Sequence, residues 1–173
     1  IDQIKVAKGW EDLNDVAAIE GLVAIGYERR FEEFSRIIQF TKLFLYSPSS
    51  AYYSCPLAMT DGAAKLLEDF GDTELKENSF RKIISRDTNE FCTSGQWMTE
   101  KSGGSDISCS ETIAKKVGSD YELYGLKWFT SAVTAPFAMT LARIENDKGE
   151  VESGSKGLSL FFVESRNEDG KWN

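Results

Sequence analysis

Two glycines and a serine follow shortly after an apolar, strand-like segment near the middle of the chain. Gly103 and Gly104 stand before Ser105, and the segment 96–99 precedes them. Consecutive backbone N–H groups at such glycines can form a concave nest for an anion, and glycine lets the backbone approach a ligand closely. The Ser105 hydroxyl would add a donor. The stretch is neither a P-loop nor a dinucleotide fingerprint. It is therefore either an anion-binding loop or an ordinary turn.

A second stretch, 124–132, brings an indole and a hydroxyl close together. If it is a strand, Trp128 and Thr130 lie two residues apart on the same side. The indole could stack on a flat heterocycle such as an isoalloxazine, and the hydroxyl could donate to a ring nitrogen. The same residues also suit a Trp in the core of a sheet with a Thr on its rim.

The residue types exclude several other chemistries. The chain has no histidine, which rules out Ser-His-Asp catalysis, imidazole acid–base catalysis and His-ligated metals. Cys55, Cys92 and Cys109 show no CxxC or zinc spacing, so we expect free thiols in a reducing compartment and no metal site. Any proton transfer must use a carboxylate, Tyr, Lys or a cofactor.

The composition is that of a globular domain with a real core. The 173 residues are 41% hydrophobic, and no apolar run approaches the ~20 residues of a membrane span. A net charge of −8 argues against nucleic acid as a partner of this segment, because phosphate binding needs clustered Lys and Arg. The first residues show no signal-peptide pattern.

Helices must occupy the first half of the chain, where apolar residues recur every three or four positions. The first helix would end near Gly26, and the third would open at Thr60 and close on Gly71 in a left-handed position. Ser79 would cap a short fourth helix. The second helix would bury an apolar stripe. The stripe comprises Phe31, Phe34, Ile37, Ile38 and Thr41.

After about residue 89 the hydrophobic period changes to two, which predicts strands. Turn residues such as Gly, Asn and Asp divide these segments. We therefore expect an α+β fold, with a partial helical bundle at 1–89 and a partial antiparallel, β-barrel-like domain at 90–173. The first residues lack a clear helix cap and residues 167–173 read as a turn, so we expect a fragment of a longer chain. The strand-like segments are 90–99, 110–117, 121–129, 137–144 and 156–164.

Two of these segments together resemble the acyl-CoA dehydrogenase family. The stretch "MTEKSGGSD" (98–106) is similar to its signature of a hydrophobic residue, Ser/Thr, Glu, two free positions, a small residue, Gly, Ser/Thr and Asp. The stretch 127–132 resembles the family's Trp-x-Thr strand, and 55–68 resembles the helix before both. The residues of these motifs are most similar to those of the AidB-like branch of alkylation-response flavoproteins. Two positions depart from the general pattern: Trp97 stands where many members have a small residue, and Cys109 where they have Gly, Ser or Ala.

The resemblance implies an architecture and a cofactor. The family has an N-terminal helical domain, a middle β-barrel and a C-terminal four-helix domain, usually in a homotetramer. This chain would supply the rear of the first domain and most of the second, with the C-terminal helical domain absent. FAD would be the cofactor and a fatty acyl-CoA the ligand. We expect an intracellular location, cytoplasmic or mitochondrial.

The resemblance also implies roles for individual residues. Met98 and Thr99 would contact the pyrimidine edge of the flavin, Trp128 would cover one ring face, and Thr130 would bond near the reactive nitrogen. Ser105 would meet the pyrophosphate or the acyl-CoA. Glu100 and Asp106 are expected to fix the loop rather than do chemistry. The implied cofactor-binding set is Trp97, Met98, Thr99, Gly104, Ser105, Trp128, Phe129 and Thr130, and Ser105 is also the implied substrate contact.

The implied reaction is α,β-dehydrogenation of a fatty acyl-CoA thioester, with hydride transfer to the flavin. The family's base is a Glu in the C-terminal helices, outside this chain, so no catalytic residue is assigned. Two other functions stay open. One is a non-catalytic AidB-like flavoprotein that binds acyl-CoA in a regulatory or protective role. The other is a plain α+β interaction module whose glycine loop is only a turn.

Overall fold

The first half of the chain is helical in the computed structural model, which describes residues 4–167 and 171–173. The expected C-terminal turn includes residues 168–170, and the expected uncapped start includes residues 1–3; both sets lie outside the described residues. No helix in the described ranges is both long and apolar enough to cross a membrane. The helices are α1 (Lys8–Ile19), α2 (Ile25–Glu28), α3 (Ser35–Tyr46), α4 (Ser54–Phe70), α5 (Thr73–Leu75) and α6 (Arg81–Ile83).

Two long helices have bounds that differ from the prediction. Helix α1 ends at Ile19 rather than near Gly26, because Gly21 takes a φ of +61° just beyond it. Only glycine adopts that left-handed conformation at low cost, so the chain turns there. Helix α4 begins at Ser54, which places Thr60 inside the helix instead of at its start.

The connection after α4 also differs from the prediction. Gly71 is extended, with φ −63° and ψ 140°, and is not left-handed. Asp72, rather than Ser79, caps the next helical run, because its carboxylate accepts the N–H of Leu75 at 2.8 Å. A π-helical turn at Lys76–Phe80 joins α5 to α6.

The apolar stripe predicted to be buried on the second helix is exposed in this chain. Phe34 and Ile37 are 57% and 62% exposed. The buried side chains of α3 are instead polar, Ser35 and Gln39. The Gln39 amide donates to the carbonyl of Leu22 at 2.9 Å, so a hydrogen bond orients the helix where periodicity predicted apolar contact.

The strands of the described sheet are β1 (Ser94–Trp97), β2 (Ile113–Val117), β3 (Asp120–Tyr124), β4 (Phe137–Ile144) and β5 (Leu158–Glu164). Four of them fall within the segments predicted from the sequence, and β3 begins one residue before its predicted segment. Strand β4 is central: β5 pairs with it antiparallel along its length, while β1 and β2 pair with successive parts of it in parallel. Strand β3 forms an antiparallel hairpin with β2.

The α+β fold class is confirmed, but the sheet is mixed rather than antiparallel. The parallel register aligns Ser94 with Phe137, and long connections rather than hairpins join β1 and β2 to β4. The sheet also curls. The rings of Tyr121 on β3 and Phe161 on β5 lie 5.3 Å apart although these strands do not pair in the described sheet.

One hydrophobic core joins the helices to the sheet. Helix α4 packs on β1, and the Thr60 hydroxyl accepts the buried N–H of Ser94 at 2.9 Å. Secondary structure changes between Ile83 and Ser94, and the division at residues 89 and 90 stays a prediction. The buried cluster includes Ala17, Ala18, Leu22, Val23, Leu57, Ala63, Ala64, Leu67, Ile83, Phe91, Phe137 and Met139.

Candidate functional site

The two motif segments are neighbours in space. The N–H of Trp128 donates to the carbonyl of Thr99 at 2.8 Å. The indole N–H of Trp97 donates to the carbonyl of Ser131 at 3.0 Å. These bonds place the end of β1 and its continuation beside residues 127–131.

The Trp128 segment is not a strand. Strand β3 ends at Tyr124, and the backbone is irregular beyond it, with φ +59° at Phe129 and +53° at Ala132. The prediction that Trp128 and Thr130 lie on one strand is therefore wrong. A non-glycine residue at positive φ is uncommon, and clusters of such residues occur at ligand sites.

Trp128 is not a core residue either. Its side chain is 48% exposed and that of Phe129 is 85% exposed. Met98, by contrast, is partly buried and packs against the hydrophobic core. The arrangement leaves an exposed aromatic surface on a backbone that the neighbouring segment holds in place.

The glycine turn is built for close packing. The N–H of Glu100 donates to the carbonyl of Gly103 at 2.9 Å, and the N–H of Gly103 donates back at 3.2 Å, so residues 100–103 form a tight turn. A Cβ on Gly103 would lie 2.4 Å from the carbonyl oxygen of Asp106. Neither Gly103 nor Gly104 has a positive φ, so these glycines serve close packing and not a left-handed backbone.

Several polar groups at this turn have no partner among the described residues. The N–H of Gly103 closes the turn, whereas the N–H groups of Gly104 and Ser105 donate to no acceptor among the described residues. The hydroxyls of Thr99, Ser105 and Thr130 likewise make no hydrogen bond within the described part. A Cβ on Gly104 would lie 3.3 Å from Cγ2 of Thr99, which shows how closely the turn approaches β1's continuation.

Glu100 and Asp106 hold the loop. Glu100 is 5% exposed, and its carboxylate accepts the N–H of Glu111 at 2.6 Å, the N–H of Thr112 at 3.2 Å and the ammonium of Lys127 at 2.6 Å. Burial raises its pKa, but Lys127, Thr112 and Glu111 outweigh burial and lower the pKa to about 2. Asp106 accepts the N–H of Ser108 at 2.9 Å. The expected structural role fits these contacts, and a carboxylate with such a pKa is no base at neutral pH.

Three basic residues at the site escaped the sequence analysis. The ammonium of Lys127, which is bonded to Glu100, also donates to the carbonyl of Leu141 at 2.7 Å. Lys101 places its ammonium 4.7 Å from the ring centre of Trp128. Lys127 stands among apolar residues in the sequence, and a lysine that is buried with them needs an ion-pair partner. That pattern could have identified Lys127 as part of an ion pair. Nothing in the sequence pattern marks Lys101.

Arg143, on β4, is the third of these basic residues. Its hydrogen bonds hold the segment that follows the two glycines. Arg143 is 5% exposed and donates to four backbone carbonyls at 2.6 to 2.8 Å. Two of these carbonyls, on Ser108 and Ser110, belong to the segment after the glycines. The buried Ser110 hydroxyl has no partner among the described residues.

A flavin fits the residues that are present. The exposed indole of Trp128 offers a face for stacking. Thr99, whose carbonyl accepts the N–H of Trp128, and Thr130, two residues beyond Trp128, both carry hydroxyls that have no partner among the described residues. The unpaired N–H groups of Gly104 and Ser105 offer donors to an anionic group. Trp128, Gly104 and Ser105 are exposed, so a flat ligand bound to them would contact this chain on one side only.

Several known proteins are similar to this chain. Residues 95–171 match the family described as "Acyl-CoA dehydrogenase, middle domain". The chain is 46% identical to acyl-CoA dehydrogenase family member 11 of Caenorhabditis elegans over 179 residues, which cover 100% of this chain and 29% of that protein. It is 24% identical to the putative acyl-CoA dehydrogenase AidB of Escherichia coli over 182 residues, covering 100% of this chain and 32% of that protein.

A solved structure is similar along the whole chain. The structure of Caenorhabditis elegans ACDH-11 in complex with C11-CoA superposes with a TM-score of 0.94 at 46% identity, covering 100% of this chain and 30% of that one. The chain therefore spans about a third or less of the length of these relatives.

Proposed function

We propose, from the match of residues 95–171 to the middle domain of the acyl-CoA dehydrogenase family, that the protein is an FAD-dependent acyl-CoA dehydrogenase. Its substrate would be a fatty acyl-CoA thioester. The observation that carries the proposal is the exposed indole of Trp128, which a backbone hydrogen bond of 2.8 Å holds against Thr99. When bound, FAD would supply the two-electron acceptor for α,β-dehydrogenation.

The chain's own residues would bind and orient the cofactor. Trp128 would stack on one ring face, and the hydroxyls of Thr99 and Thr130 would donate to or accept from ring heteroatoms. Met98 anchors this edge to the core, since it packs on the buried cluster. Phe129, 85% exposed beside Trp128, would add apolar surface over the ligand.

Gly104 and Ser105 would hold the anionic part of the ligand. Their backbone N–H groups and the Ser105 hydroxyl are unpaired among the described residues. Trp97 would act indirectly, because its indole N–H already donates to Ser131 and so positions the segment that carries Trp128. We propose that Trp97 is a positioning residue rather than a flavin contact.

No carboxylate of the site is proposed as the catalytic base. Glu100 is the nearest acid in the motif, but it is buried, paired with Lys127 and has a pKa of about 2. A base must be unpaired and able to take a proton near neutral pH. The resemblance places the base in a segment beyond these residues.

The test is an anaerobic absorption spectrum of the full-length protein before and after addition of an acyl-CoA. The relative solved with C11-CoA makes an eleven-carbon acyl-CoA the first choice of substrate. We expect a flavin band that bleaches on addition. A protein that shows no flavin band, even after reconstitution with FAD, would refute the proposal.

The regulatory alternative makes a different prediction in the same experiment. A non-catalytic AidB-like binder would show a flavin band that shifts without bleaching across a series of acyl chain lengths. Assignment to the AidB-like branch belongs with this alternative. The similarity to AidB, at 24% identity over 32% of that protein, supports this alternative less than the 46% identity to the nematode relative supports an acyl-CoA dehydrogenase.

Assembly and location are further parts of the proposal. We propose a homotetramer in an intracellular compartment, cytoplasmic or mitochondrial, by analogy with the family. Light scattering of the full-length protein during gel filtration would report the mass directly. A monomeric mass with FAD bound would contradict the tetramer without affecting the proposed reaction.

A further inference from the structure

Lys101 is a cation at the candidate site with no carboxylate partner among the described residues. It stands at the tip of the 100–103 turn, and its ammonium lies 4.7 Å from the ring centre of Trp128. The acid beside it in sequence, Glu100, is occupied by Lys127 at 2.6 Å. The positive charge of Lys101 is therefore available at the face where a flat ligand would stack.

The contact between Lys101 and the indole is weak compared with what an anion offers. A cation over an exposed aromatic ring gains little, because water competes for both groups. A charge-assisted hydrogen bond to a phosphate is about twice as strong as a neutral one. An ammonium on a flexible stem would therefore leave the ring when a phosphate comes within reach.

The donors beside Lys101 also suit a phosphate. The backbone N–H groups of Gly104 and Ser105 follow the turn directly and have no acceptor in the described ranges. Adjacent N–H groups bind anions well, and a nearby ammonium strengthens that binding. The chain as a whole carries a net charge of −8, so a local cation matters for drawing an anion to this face.

We propose that Lys101 binds the diphosphate of a nucleotide ligand at this site, and that its place over Trp128 is the position it leaves when the ligand binds. This inference rests on the proposed function. FAD and CoA both carry a diphosphate, and the shared group is what Lys101 recognises. The residue positions the ligand and takes no part in the reaction.

The test compares ligand affinities of three variants in the full-length protein. Lys101→Gln removes the charge, and Lys101→Arg keeps it. Lys116→Gln is the matched control, since Lys116 is an exposed lysine on β2 with no ion pair in the described part. The probes are FAD, CoA and riboflavin, which has no phosphate, each titrated at low salt and again at high salt.

We expect Lys101→Gln to raise the Kd for FAD, CoA or both by about tenfold at low salt, and by less at high salt, where charges are screened. Riboflavin binding should change less than twofold. Lys101→Arg should stay within about threefold of wild type, and Lys116→Gln should leave each Kd unchanged. An effect on FAD alone assigns the group to the cofactor, and an effect on CoA alone assigns it to the substrate.

Two results would overturn the inference. Unchanged affinity of Lys101→Gln for both FAD and CoA removes the proposed contact. An equal loss of riboflavin affinity shows that the lysine acts through the ring system instead of the diphosphate. A wild-type protein that binds no flavin refutes the proposed function, and the CoA titration then still decides the role of Lys101.

Discussion

The ammonium of Lys127 lies 2.6 Å from Oε1 of Glu100, and both side chains are largely withdrawn from water, with 13% and 4% of their surfaces exposed. The pair connects the glycine turn to the segment that carries Trp128. A buried ion pair of this kind depends on both partners, because removing one leaves an uncompensated charge.

Replacing Glu100 by Gln should therefore lower the free energy of unfolding by about 3 kcal/mol, because the Lys127 ammonium would stay buried without a carboxylate. Urea denaturation followed by circular dichroism measures the change. Glu145→Gln is the control, since it breaks the more exposed pair with Lys115 at 3.3 Å. We expect less than about 1 kcal/mol there. Similar losses in both variants would contradict a special role for the buried pair.

The same carboxylate predicts a loss of stability in acid. The folded-state pKa of Glu100 is about 2, below its ordinary value of 4.5. A lowered pKa stabilises the fold above the unfolded value, and that contribution is lost as pH falls from about 4.5 toward 2. Stability measured across this window should fall less steeply in Glu100→Gln than in wild type. Parallel pH profiles would show that the Glu100 pKa is not lowered in the folded protein.

Thr60 should be sensitive to loss of its hydroxyl although it lies within a helix. Its O–H donates to the carbonyl of Pro56 at 2.7 Å, and its oxygen accepts the N–H of Ser94 at 2.9 Å. Thr60→Val keeps the shape but leaves a buried N–H without an acceptor, which costs about 1–3 kcal/mol. Thr60→Ser keeps the oxygen and should lose less. Denaturant midpoints compare the two, and a more stable Val variant would contradict this account.

Gly103 should tolerate no side chain. A Cβ there would lie 2.4 Å from the carbonyl oxygen of Asp106, which is backbone and cannot easily move. Gly103→Ala should therefore reduce FAD affinity at least tenfold by displacing Gly104 and Ser105. Gly62→Ala is the control, because no atom lies within 4 Å of a Cβ at that exposed site in α4. That change should leave FAD binding intact and raise stability by about 0.5–1 kcal/mol.

Trp128→Ala should remove flavin without unfolding the protein. The indole is 48% exposed, so its loss costs little burial, whereas a stacked ring would lose its support. We expect at least a tenfold loss of bound flavin by absorbance, with an unchanged circular dichroism spectrum. Trp172→Ala, at a tryptophan that is 38% exposed, is the control and should keep its flavin. Full flavin content in Trp128→Ala would favour the plain interaction module.

Local pattern was sufficient to predict the two-part character of the chain. A period of three to four residues indicated helices before residue 86, and a period of two located all five strands to within one residue of the predicted segments. The glycine motif and the Trp128 motif were also evident, because their residue types are unusual at such spacing. Which face of α3 is buried could not be predicted, since the decisive contact is a hydrogen bond from Gln39 to a carbonyl distant in sequence.

The sequence by itself determined the element types, the lack of histidine chemistry and the resemblance carried by residues 98–106 and 127–132. Only the tertiary structure decided that β1 and β2 run parallel to β4, that Trp128 lies exposed on irregular backbone, and that Lys101 rests over its ring. The reason is physical. Periodicity reports which side of an element is apolar, whereas strand direction and the pairing of charges depend on segments far apart in the chain.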